Sequence, residues 1–287
     1  MEVGKYLKPK KTQSEETLTG ALQGTLLTPE DRTGLGVVVL HGSSGRPDVT
    51  RTRLFAAKGA VALAMRWFGG EGQSPTIHQI PLETFIRATD KLIELGCSRI
   101  AFIGTSRGAE AALLTAIEDP RIDVVIAISP SSVAWQGDGW PPASSWTRNG
   151  APLPFVHYDV EHLPKAGPDG LIAYRKYFEL SLARFGDEIP AASIPIEKAR
   201  ARVILVAGGD DALWLSDRFA RSLSNRLAAA RKSPILVTHP KAGHRVLLPG
   251  ENTPRSTINA HGGNDEADRA LGSAAWVAIS EVLRFPV

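Results

Sequence analysis

The chain alternates short apolar runs, rich in β-branched residues, with longer segments whose apolar residues recur at helical spacing. A short apolar run that ends at glycine is typical of a strand buried on both faces of a sheet. Strands and helices in this alternating order predict an α/β fold with a mostly parallel central sheet and helices on both faces. The predicted strands are residues 36–41, 60–66, 99–103, 123–129, 202–207 and 233–238. The predicted helices lie near residues 50–58, 82–95, 109–117, 216–230 and 265–283.

The alternation is interrupted between residues 130 and 198. This segment contains nine of the 20 prolines and favours one helix near residues 171–184. It also holds three of the six tryptophans, Trp135, Trp140 and Trp146. Long irregular segments inside a compact domain commonly serve as lids or binding loops. Since no internal repeat or linker is visible, we expect residues 1–287 to form a single domain, with the interrupting segment inserted over its sheet as a lid.

A glycine-flanked serine lies between the third predicted strand and the helix after it. The five residues, Gly104-Thr-Ser-Arg-Gly108, have the Gly-x-Ser-x-Gly pattern of a nucleophile elbow. A sharp strand-to-helix turn exposes the serine hydroxyl, and the two glycines let the neighbouring backbone approach closely enough for that turn to form. An ordinary Gly/Ser turn is the alternative for the pattern alone, but the flanking strand and helix favour Ser106 as a nucleophile.

A serine hydroxyl is a weak nucleophile, so it needs a base and an acid that orients the base. In chains with this elbow they follow in the order serine, acid, histidine. Asp210 and Asp211 follow the fifth predicted strand, and His244 follows the last one. We therefore predict a triad of Ser106, Asp211 and His244, with Asp210 holding the loop by hydrogen bonds. Helix capping by the two acids and a surface position for the histidine are the alternatives.

Acyl transfer also requires donors for the negative charge that develops on the substrate oxygen. In this arrangement they are backbone N–H groups from the first loop of the sheet and from the residue after the nucleophile. The sequence offers Ser43 and Arg107, with Ser44 as an alternative to Ser43. His41 precedes this loop at a strand end, and we expect it to have a structural, hydrogen-bonded role.

Composition narrows the class of protein further. The 287 residues are 43% hydrophobic and 22% charged, and the net charge of +3 is scattered along the chain, so nucleic acid is not an expected partner. The single cysteine, Cys97, excludes an internal disulfide, and we expect it to be a small buried residue. The remaining histidines show no metal-ligand spacing, so neither a metal nor another cofactor is expected. No secretory-type segment or apolar run of ~18 residues is visible, which predicts a cytoplasmic protein without a membrane span.

These motifs are similar to those of a known family. Residues 36–285 resemble the C-terminal catalytic domain shared by acyl-CoA thioesterases and the bile acid-CoA:amino acid N-acyltransferase, which is dienelactone hydrolase-like and part of the α/β-hydrolase superfamily. The matching segments are 104–110 (GTSRGAE), 128–131 (ISPS), 194–198 (IPIEK), 208–216 (GGDDALWLS), 242–244 (AGH) and 262–263 (GG), the last before a helix that carries Trp276. The resemblance implies an α/β-hydrolase fold and the same triad of Ser106, Asp211 and His244.

The chain departs from this family in three ways. The mammalian members carry an additional N-terminal β-sandwich domain, whereas the 35 residues before Gly36 can add at most one or two edge strands. Leu215 stands where the family pattern has proline. The tryptophan-rich insertion resembles the family only at its two ends, so the resemblance does not extend to the identity of the substrate.

The expected activity is hydrolysis of an acyl thioester, either an acyl-CoA or an acyl chain on a carrier protein, through an acyl-enzyme on Ser106. Dienelactone hydrolases share the fold but have a cysteine nucleophile, and the N-acyltransfer of the bile acid enzyme also resembles a cysteine-based reaction. Serine at the elbow therefore favours hydrolysis. The alternatives are a carboxylic ester or lactone hydrolase, an acyltransferase or cyclase that passes the acyl group to an amine or alcohol, and a non-catalytic binding protein.

Two groups of side chains are candidates for substrate binding. Apolar walls are typical of ligand sites, so we expect tryptophans to line an acyl pocket, although those of the insertion also suit a small core beneath a long loop. These are Trp135, Trp140, Trp146 and Trp214. Three arginines beyond the loop at residues 42–45 are candidates for binding an acceptor carboxylate or coenzyme A phosphates, with solvated surface charge as the alternative. They are Arg46, Arg51 and Arg53.

Overall fold

The computed structural model describes residues 12–285, so residues 1–11 and 286–287 of the predicted domain lie outside the described residues. The strands are β1 (Thr12–Leu18), β2 (Gln23–Pro29), β3 (Leu35–Leu40), β4 (Val61–Arg66), β5 (Ile80–Pro81), β6 (Arg99–Thr105), β7 (Val124–Ile128), β8 (Trp146–Arg148), β9 (Ala151–Pro152), β10 (Arg202–Gly208) and β11 (Ile235–His239). The helices are α1 (Val49–Ala56), α2 (Glu83–Glu94), α3 (Arg107–Glu118), α4 (Arg175–Arg184), α5 (Ile189–Ala192), α6 (Ser216–Ala229) and α7 (Asp265–Leu283). Short 3₁₀ turns lie at Val160–His162, Gly186–Glu188 and Ile196–Lys198.

Eight of these strands form one sheet in the order β1-β2-β4-β3-β6-β7-β10-β11. The six strands from β4 to β11 in this order pair in parallel, whereas β2 is antiparallel to both of its neighbours. The predicted α/β fold with a mostly parallel sheet is therefore confirmed. The described residues before Gly36 add two strands at one edge, within the limit set by the sequence.

Alternate residues of the central strands enter different hydrophobic cores, as the two-residue period of a strand requires. In β3, Val38 and Leu40 belong to one core and Val37 and Val39 belong to the other. Helices α2, α3 and α6 contribute to the first core, and α1 and α7 contribute to the second. Helices thus cover both faces of the sheet, and burial on both faces explains why the parallel strands are continuous apolar runs in the sequence.

Two helices begin more than one residue away from their predicted starts, and each difference has a local cause. α3 begins at Arg107, two residues early, because the chain turns sharply at Ser106 and the helix follows directly. α4 begins at Arg175, four residues late, because Ile172 is engaged in a β-bridge with Asn259. Tertiary pairing of this second kind leaves no mark in the local sequence pattern.

The insertion at residues 130–198 contains β8, β9, α4, α5 and the three 3₁₀ turns, and it is irregular elsewhere. β8 pairs in parallel with β5 and antiparallel with β9, which ties the insertion to the chain just before α2. A third hydrophobic core joins the insertion to the start of α6. The buried members of this core are Val133, Trp135, Val156, Ala192, Trp214, Leu215 and Phe219. The insertion is therefore attached to the rest of the structure by strand pairing and by a shared hydrophobic core.

Three further observations bear on the expectations from composition. Cys97 is a free thiol with 5% exposure, which confirms its predicted burial. No helix within residues 12–285 combines the length and apolar character needed to cross a bilayer. Over the same stretch, His, Cys, Asp and Glu side chains form no group of three suited to a metal ion.

Candidate active site

The predicted triad residues follow the carboxyl ends of parallel strands. Ser106 directly follows β6, Asp211 lies three residues after β10, and His244 lies five residues after β11. Because parallel strands present their carboxyl ends at one edge of a sheet, the topology places these three loops at a common edge. Ligands bind at this edge in open α/β sheets.

The backbone of the elbow has the conformation that a sharp strand-to-helix turn requires. Ser106 has φ 58° and ψ −121°, a combination that L-residues rarely adopt. A Cβ atom at Gly104 would lie 2.1 Å from Gly108 O, and one at Gly108 would lie 2.4 Å from His41 O. Neither approach leaves room for a side chain, so both glycines of the motif are required by the packing of the turn.

Asp211 and His244 are joined by a hydrogen bond of 2.7 Å between Asp211 Oδ2 and His244 Nδ1. Both residues are buried, with exposures of 1% and 7%. The other carboxylate oxygen accepts the amides of Leu213 and Trp214 at 2.8 and 3.2 Å, which fixes the carboxylate in place. An ionised carboxylate can only accept hydrogen bonds, so Nδ1 carries the proton and Nε2 of the neutral imidazole is free to act as a base.

The neighbouring acid, Asp210, is exposed and faces a different partner. Its Oδ2 accepts the Gly263 amide at 3.0 Å, in agreement with its predicted role in holding the loop. A Cβ atom at Gly262 would lie 1.8 Å from Asp210 O, so this loop packs closely against the glycine pair. The adjacent carbonyl, His261 O, accepts the His244 amide at 2.8 Å. Residues 261–263 therefore support both the loop that contains the two acids and the loop that contains His244.

Ser106 and His244 are both held by the end of β7. Ser106 N donates to Ile128 O at 2.9 Å, and the next side chain, Ser129 Oγ, donates to His244 O at 2.9 Å. Among the described residues no hydrogen bond joins the Ser106 hydroxyl to the imidazole, and catalytic hydrogen bonds of this kind often tighten only when substrate is bound. The direct contact between nucleophile and base therefore stays a prediction.

The two candidate oxyanion amides belong to segments beside the nucleophile: Arg107 follows Ser106 in the chain, and the loop with Ser43 approaches it in space. A Cβ atom at Gly42 would lie 3.2 Å from Ser106 Cβ and 3.8 Å from its Oγ, so the loop that contains Ser43 passes beside the serine. Arg107 is the first residue of α3, where amides have no partner within the helix and the helix dipole favours negative charge. Within residues 12–285 neither the Ser43 amide nor the Arg107 amide has a hydrogen-bond partner. Neither N–H is therefore engaged within the described part of the protein.

His41 has the structural, hydrogen-bonded position that the sequence predicted. It is 4% exposed, stacks on Trp67 with ring centroids 5.1 Å apart, and places Nδ1 2.7 Å from Gly42 O. Since the C=O and N–H of a trans peptide point in opposite directions, this bond also fixes the direction of the Ser43 N–H. Burial lowers the pKa of His41 to about 4, so its imidazole is neutral at pH 7.

The four candidate tryptophans lie in different surroundings. Trp135 is fully buried in the core between the insertion and α6, and Trp146 is fully buried in the core that contains α2 and α3. Trp140 is 87% exposed. Trp214 is 2% exposed, and its ring centroid lies 6.0 Å from that of His244. Core packing accounts for Trp135 and Trp146 without any ligand, and the predicted contribution of the four to an acyl pocket stays a prediction.

A buried carboxylate near the start of α3, Glu110, is not among the residues predicted from the sequence. Glu110 is 0% exposed and forms an ion pair of 2.7 Å with Arg107. Its Oε1 accepts the Trp135 amide at 3.1 Å and the Trp146 indole N–H at 2.5 Å. Arg107 also donates to the hydroxyl of Ser145. Arg107, whose amide is a candidate oxyanion donor, is thus tied to the insertion through its own side chain. The sequence signal that could have identified Glu110 is the family motif at residues 104–110, which ends at this residue.

The structure corrects the prediction that Arg51 is either a ligand anchor or a solvated surface charge. Arg51 is 6% exposed, and its guanidinium lies 2.7 Å from the carboxylate of Glu251. Arg53 is exposed and pairs with Glu15 at 2.9 Å, and Arg46 is exposed. Arg51 is therefore unavailable to a coenzyme A phosphate or an acceptor carboxylate.

The sheet order and the elbow define an α/β-hydrolase fold, and solved structures agree. A carboxyl esterase from Bacillus coagulans, in complex with glycerol, superposes with a TM-score of 0.57 at 14% sequence identity, over 96% of this chain and 99% of that one. An esterase from Pyrococcus furiosus gives a TM-score of 0.55 at 14% identity, over 99% and 96% of the two chains. A Klebsiella pneumoniae protein proposed to be a dienelactone hydrolase gives 0.55 at 14% identity, over 92% of each chain. These similarities confirm the predicted fold.

The chain belongs to the family described as BAAT / Acyl-CoA thioester hydrolase C terminal, whose model matches residues 80–277. This match confirms the resemblance found in the motifs. Human acyl-coenzyme A thioesterase 1 is 27% identical over 271 residues, which cover 89% of this chain and 59% of that protein. Human mitochondrial acyl-coenzyme A thioesterase 2 is also 27% identical over 271 residues, which cover 89% of this chain and 52% of that protein. The chain thus spans a little over half the length of these curated relatives.

Proposed function

We propose that the chain is a serine hydrolase of acyl thioesters that works through an acyl-enzyme on Ser106. The hydrogen bond between Asp211 and His244, at the sheet edge that carries the elbow, is the observation that supports this proposal most directly. Such a pair orients a neutral imidazole as a base, which a serine nucleophile requires. Family membership and the acyl-CoA thioesterases among the relatives favour a thioester as the substrate.

In the first step the Ser106 hydroxyl attacks the thioester carbonyl carbon and passes its proton to His244 Nε2. Asp211 keeps the imidazole in the required tautomer and stabilises the imidazolium that forms. The oxyanion of the tetrahedral intermediate accepts hydrogen bonds from the Ser43 and Arg107 amides. The C–S bond then breaks, and the imidazolium returns the proton to the departing thiolate. The acyl group remains as an ester on the serine.

Water is the proposed acceptor in the second step. His244 removes a proton from the water that attacks the Ser106 ester. The bond between the acyl carbon and Ser106 Oγ then breaks, the imidazolium returns the proton to Ser106 Oγ, and the free acid is released. A transferase would instead need polar anchors that position an amine or alcohol, and it would have to exclude water. Of the arginines considered for that purpose, Arg51 and Arg53 are held by carboxylates of the protein itself. This arrangement favours hydrolysis over acyl transfer.

We further infer that the chain forms one catalytic domain and that residues 130–198 cover its site as a lid. Two contacts support this inference. Glu110 links the insertion to the helix that follows the nucleophile, and Trp214 belongs to the core of the insertion while lying next to His244. An acyl group on the serine would then meet the inner side of the insertion. The carrier of that acyl group is coenzyme A, as in the names of the relatives, or an acyl carrier protein.

Labelling with a serine-directed fluorophosphonate, followed by peptide mass spectrometry, tests the nucleophile. The label should lie on Ser106 and be lost in Ser106→Ala, whose turnover should fall by ~10⁴-fold or more. Ser233→Ala removes an exposed serine before β11 and serves as the matched control, with labelling equal to that of the wild type. Label on Ser43 or Ser131, with Ser106 unmodified, would refute the proposal.

Substrate class is tested by comparing acyl-CoA thioesters of several chain lengths with p-nitrophenyl esters and lactones. The proposal predicts the highest kcat/KM for a thioester, whereas a preference for esters or lactones would support the other hydrolase activity. Turnover of an acyl-CoA with a mixture of amino acids, analysed by mass spectrometry, tests the acceptor. Predominant amide formation over free acid would replace the hydrolase proposal with acyl transfer.

A further inference from the structure

Arg51 connects parts of the chain that are far apart in sequence. Its Nε and Nη2 atoms donate to the two oxygens of Glu251 at 2.7 and 2.8 Å. Its Nη1 atom donates to Thr105 Oγ1 at 2.7 Å, and Nη2 also donates to Val246 O at 3.0 Å. With exposures of 6% and 2%, Arg51 and Glu251 both lie in the protein interior.

Two of these partners are close neighbours of the predicted catalytic residues. Thr105 is the last residue of β6 and immediately precedes Ser106. Val246 lies two residues after His244 in the loop that follows β11. The guanidinium of Arg51 therefore touches both the strand that ends at the nucleophile and the loop that carries the base.

We propose that Arg51 is a positioning residue that sets the distance between the Ser106 hydroxyl and His244 Nε2. This inference rests on the proposed function, because it needs both residues to be catalytic. A guanidinium presents its N–H groups in one rigid plane, so bidentate pairing with Glu251 also fixes the directions of its other donors. A misplacement of about 1 Å in a catalytic site can cost ~100-fold in rate, so a fixed connection of this kind has a direct kinetic effect.

Stability alone does not explain this buried ion pair. Moving a guanidinium and a carboxylate out of water carries a large desolvation cost, and apolar residues of similar size are often as stable. Glu251 also accepts the Leu248 amide at 2.9 Å, so the carboxylate that orients Arg51 simultaneously holds the histidine loop. The hydrogen bonds of the pair therefore join the end of β6, which precedes Ser106, to the loop that contains His244.

Thr105→Val is the most selective test, because it removes the hydroxyl that accepts from Arg51 and leaves the pair with Glu251 in place. Thr105→Ser retains the hydroxyl and is the conservative rescue. Thr115→Val is the matched control, since the buried Thr115 hydroxyl donates to Ala111 O within α3 and makes no connection to the histidine loop.

The rate of fluorophosphonate labelling at Ser106, and kcat and KM for an acyl-CoA, are measured well below the melting temperature of each variant. We expect Thr105→Val to be labelled ~10- to 100-fold more slowly than the wild type and to have a lower kcat at similar KM. Thr105→Ser should recover most of the rate, and Thr115→Val should match the wild type. In an Arg51→Lys background the loss caused by Thr105→Val should shrink, because the shared connection is already broken.

The outcomes separate this inference from the proposed function. Equal labelling rates for Thr105→Val and Thr115→Val, in a wild type that is labelled at Ser106, would overturn the positioning role alone. A slow Thr105→Val variant that Thr105→Ser does not rescue would also overturn it, because the loss would then come from side-chain shape. A wild type that is not labelled at Ser106 would overturn the proposed function and the inference together.

Discussion

Asp210 and Asp211 are adjacent in the chain but hold different parts of the structure. Asp211 is buried and lies 2.7 Å from His244 Nδ1, whereas Asp210 is exposed and accepts the Gly263 amide at 3.0 Å. Only the buried acid can keep the imidazole in one tautomer, because only its carboxylate is within hydrogen-bond distance of the ring. The two acids should therefore respond very differently to the same conservative substitution.

Asp211→Asn should lower kcat by ~10⁴-fold, because the amide no longer holds the imidazole in the tautomer that accepts the serine proton. Asp210→Asn should retain most of the activity, since it loses only one charged acceptor in an exposed loop. Turnover of an acyl-CoA by the two purified variants, with circular dichroism to confirm folding, checks the order. Equal losses, or a larger loss in Asp210→Asn, would show that the wrong acid has been assigned.

The buried histidine beside the candidate oxyanion loop predicts a specific pH dependence of stability. Burial lowers the pKa of His41 in the folded state to about 4, from an ordinary value of 6.5. The unfolded state then takes up the proton first, so the free energy of unfolding falls as pH drops from 6.5 towards 4. Between pH 7 and pH 5 this group alone should account for a loss of about 2 kcal/mol.

His41→Gln removes that titration while keeping an N–H donor for Gly42 O. The free energy of unfolding, measured in urea, should therefore fall by about 2 kcal/mol less in His41→Gln than in the wild type when the pH is lowered from 7 to 5. His261, whose pKa burial also lowers to about 4, should keep part of the acid sensitivity in both proteins. A difference between the two proteins that is the same at pH 7 and pH 5 would contradict the prediction.

Glu110→Gln should destabilise the protein by ~3–5 kcal/mol, because it leaves the buried Arg107 guanidinium without its counter-charge. The control is the exposed pair of Asp90 and Arg121, whose side chains are 47% and 45% exposed. Asp90→Asn should cost less than ~1 kcal/mol, since solvent screens exposed charges. Urea unfolding of both variants gives the comparison. Similar small losses in the two would mean that Glu110 is not a structural tie between α3 and the insertion.

The tryptophans should separate into stability and specificity positions. Trp146→Ala should cost ~3–5 kcal/mol of stability, because it empties a fully buried site. Trp140→Ala should change stability by less than ~0.5 kcal/mol, because that side chain is exposed. Trp214→Phe, next to His244, should be the one that alters the preference among acyl-CoA chain lengths. Urea unfolding measures the stability of each variant, and kcat/KM across acyl-CoA chain lengths measures its specificity. A changed chain-length preference in Trp140→Ala would contradict this division and indicate that the exposed part of the insertion lines the acyl pocket.

The sheet, its helices and the loops of the triad were predictable because they depend on local patterning and on one rule of topology. Short apolar runs rich in β-branched residues located the parallel strands, and parallel strands bring their carboxyl ends to one edge. The turn at Ser106 was predictable for the same reason, because Gly104 and Gly108 lie on either side of it in the sequence. None of these features requires knowledge of a distant partner.

Long-range pairing explains what the sequence did not reveal. Arg51 and Arg53 lie two positions apart in α1, and the local pattern does not show which of them meets a carboxylate 200 residues away. Glu110 has the appearance of an ordinary helix residue until the insertion folds over it. The roles of Trp135 and Trp146 were ambiguous for a related reason, because an apolar ring suits a core and a ligand site equally well.

Glu110 also determines which part of the insertion can open. Lifting Trp135 and Trp146 away from α3 would strip two donors from a carboxylate that solvent does not reach, so this part of the insertion behaves as a fixed wall. Residues 160–170 are almost entirely exposed and contribute nothing to the three hydrophobic cores. We expect any entrance for a bulky acyl chain to be on that side, between the buried carboxylate of Asp159, which holds Glu161 and His162, and the start of α4.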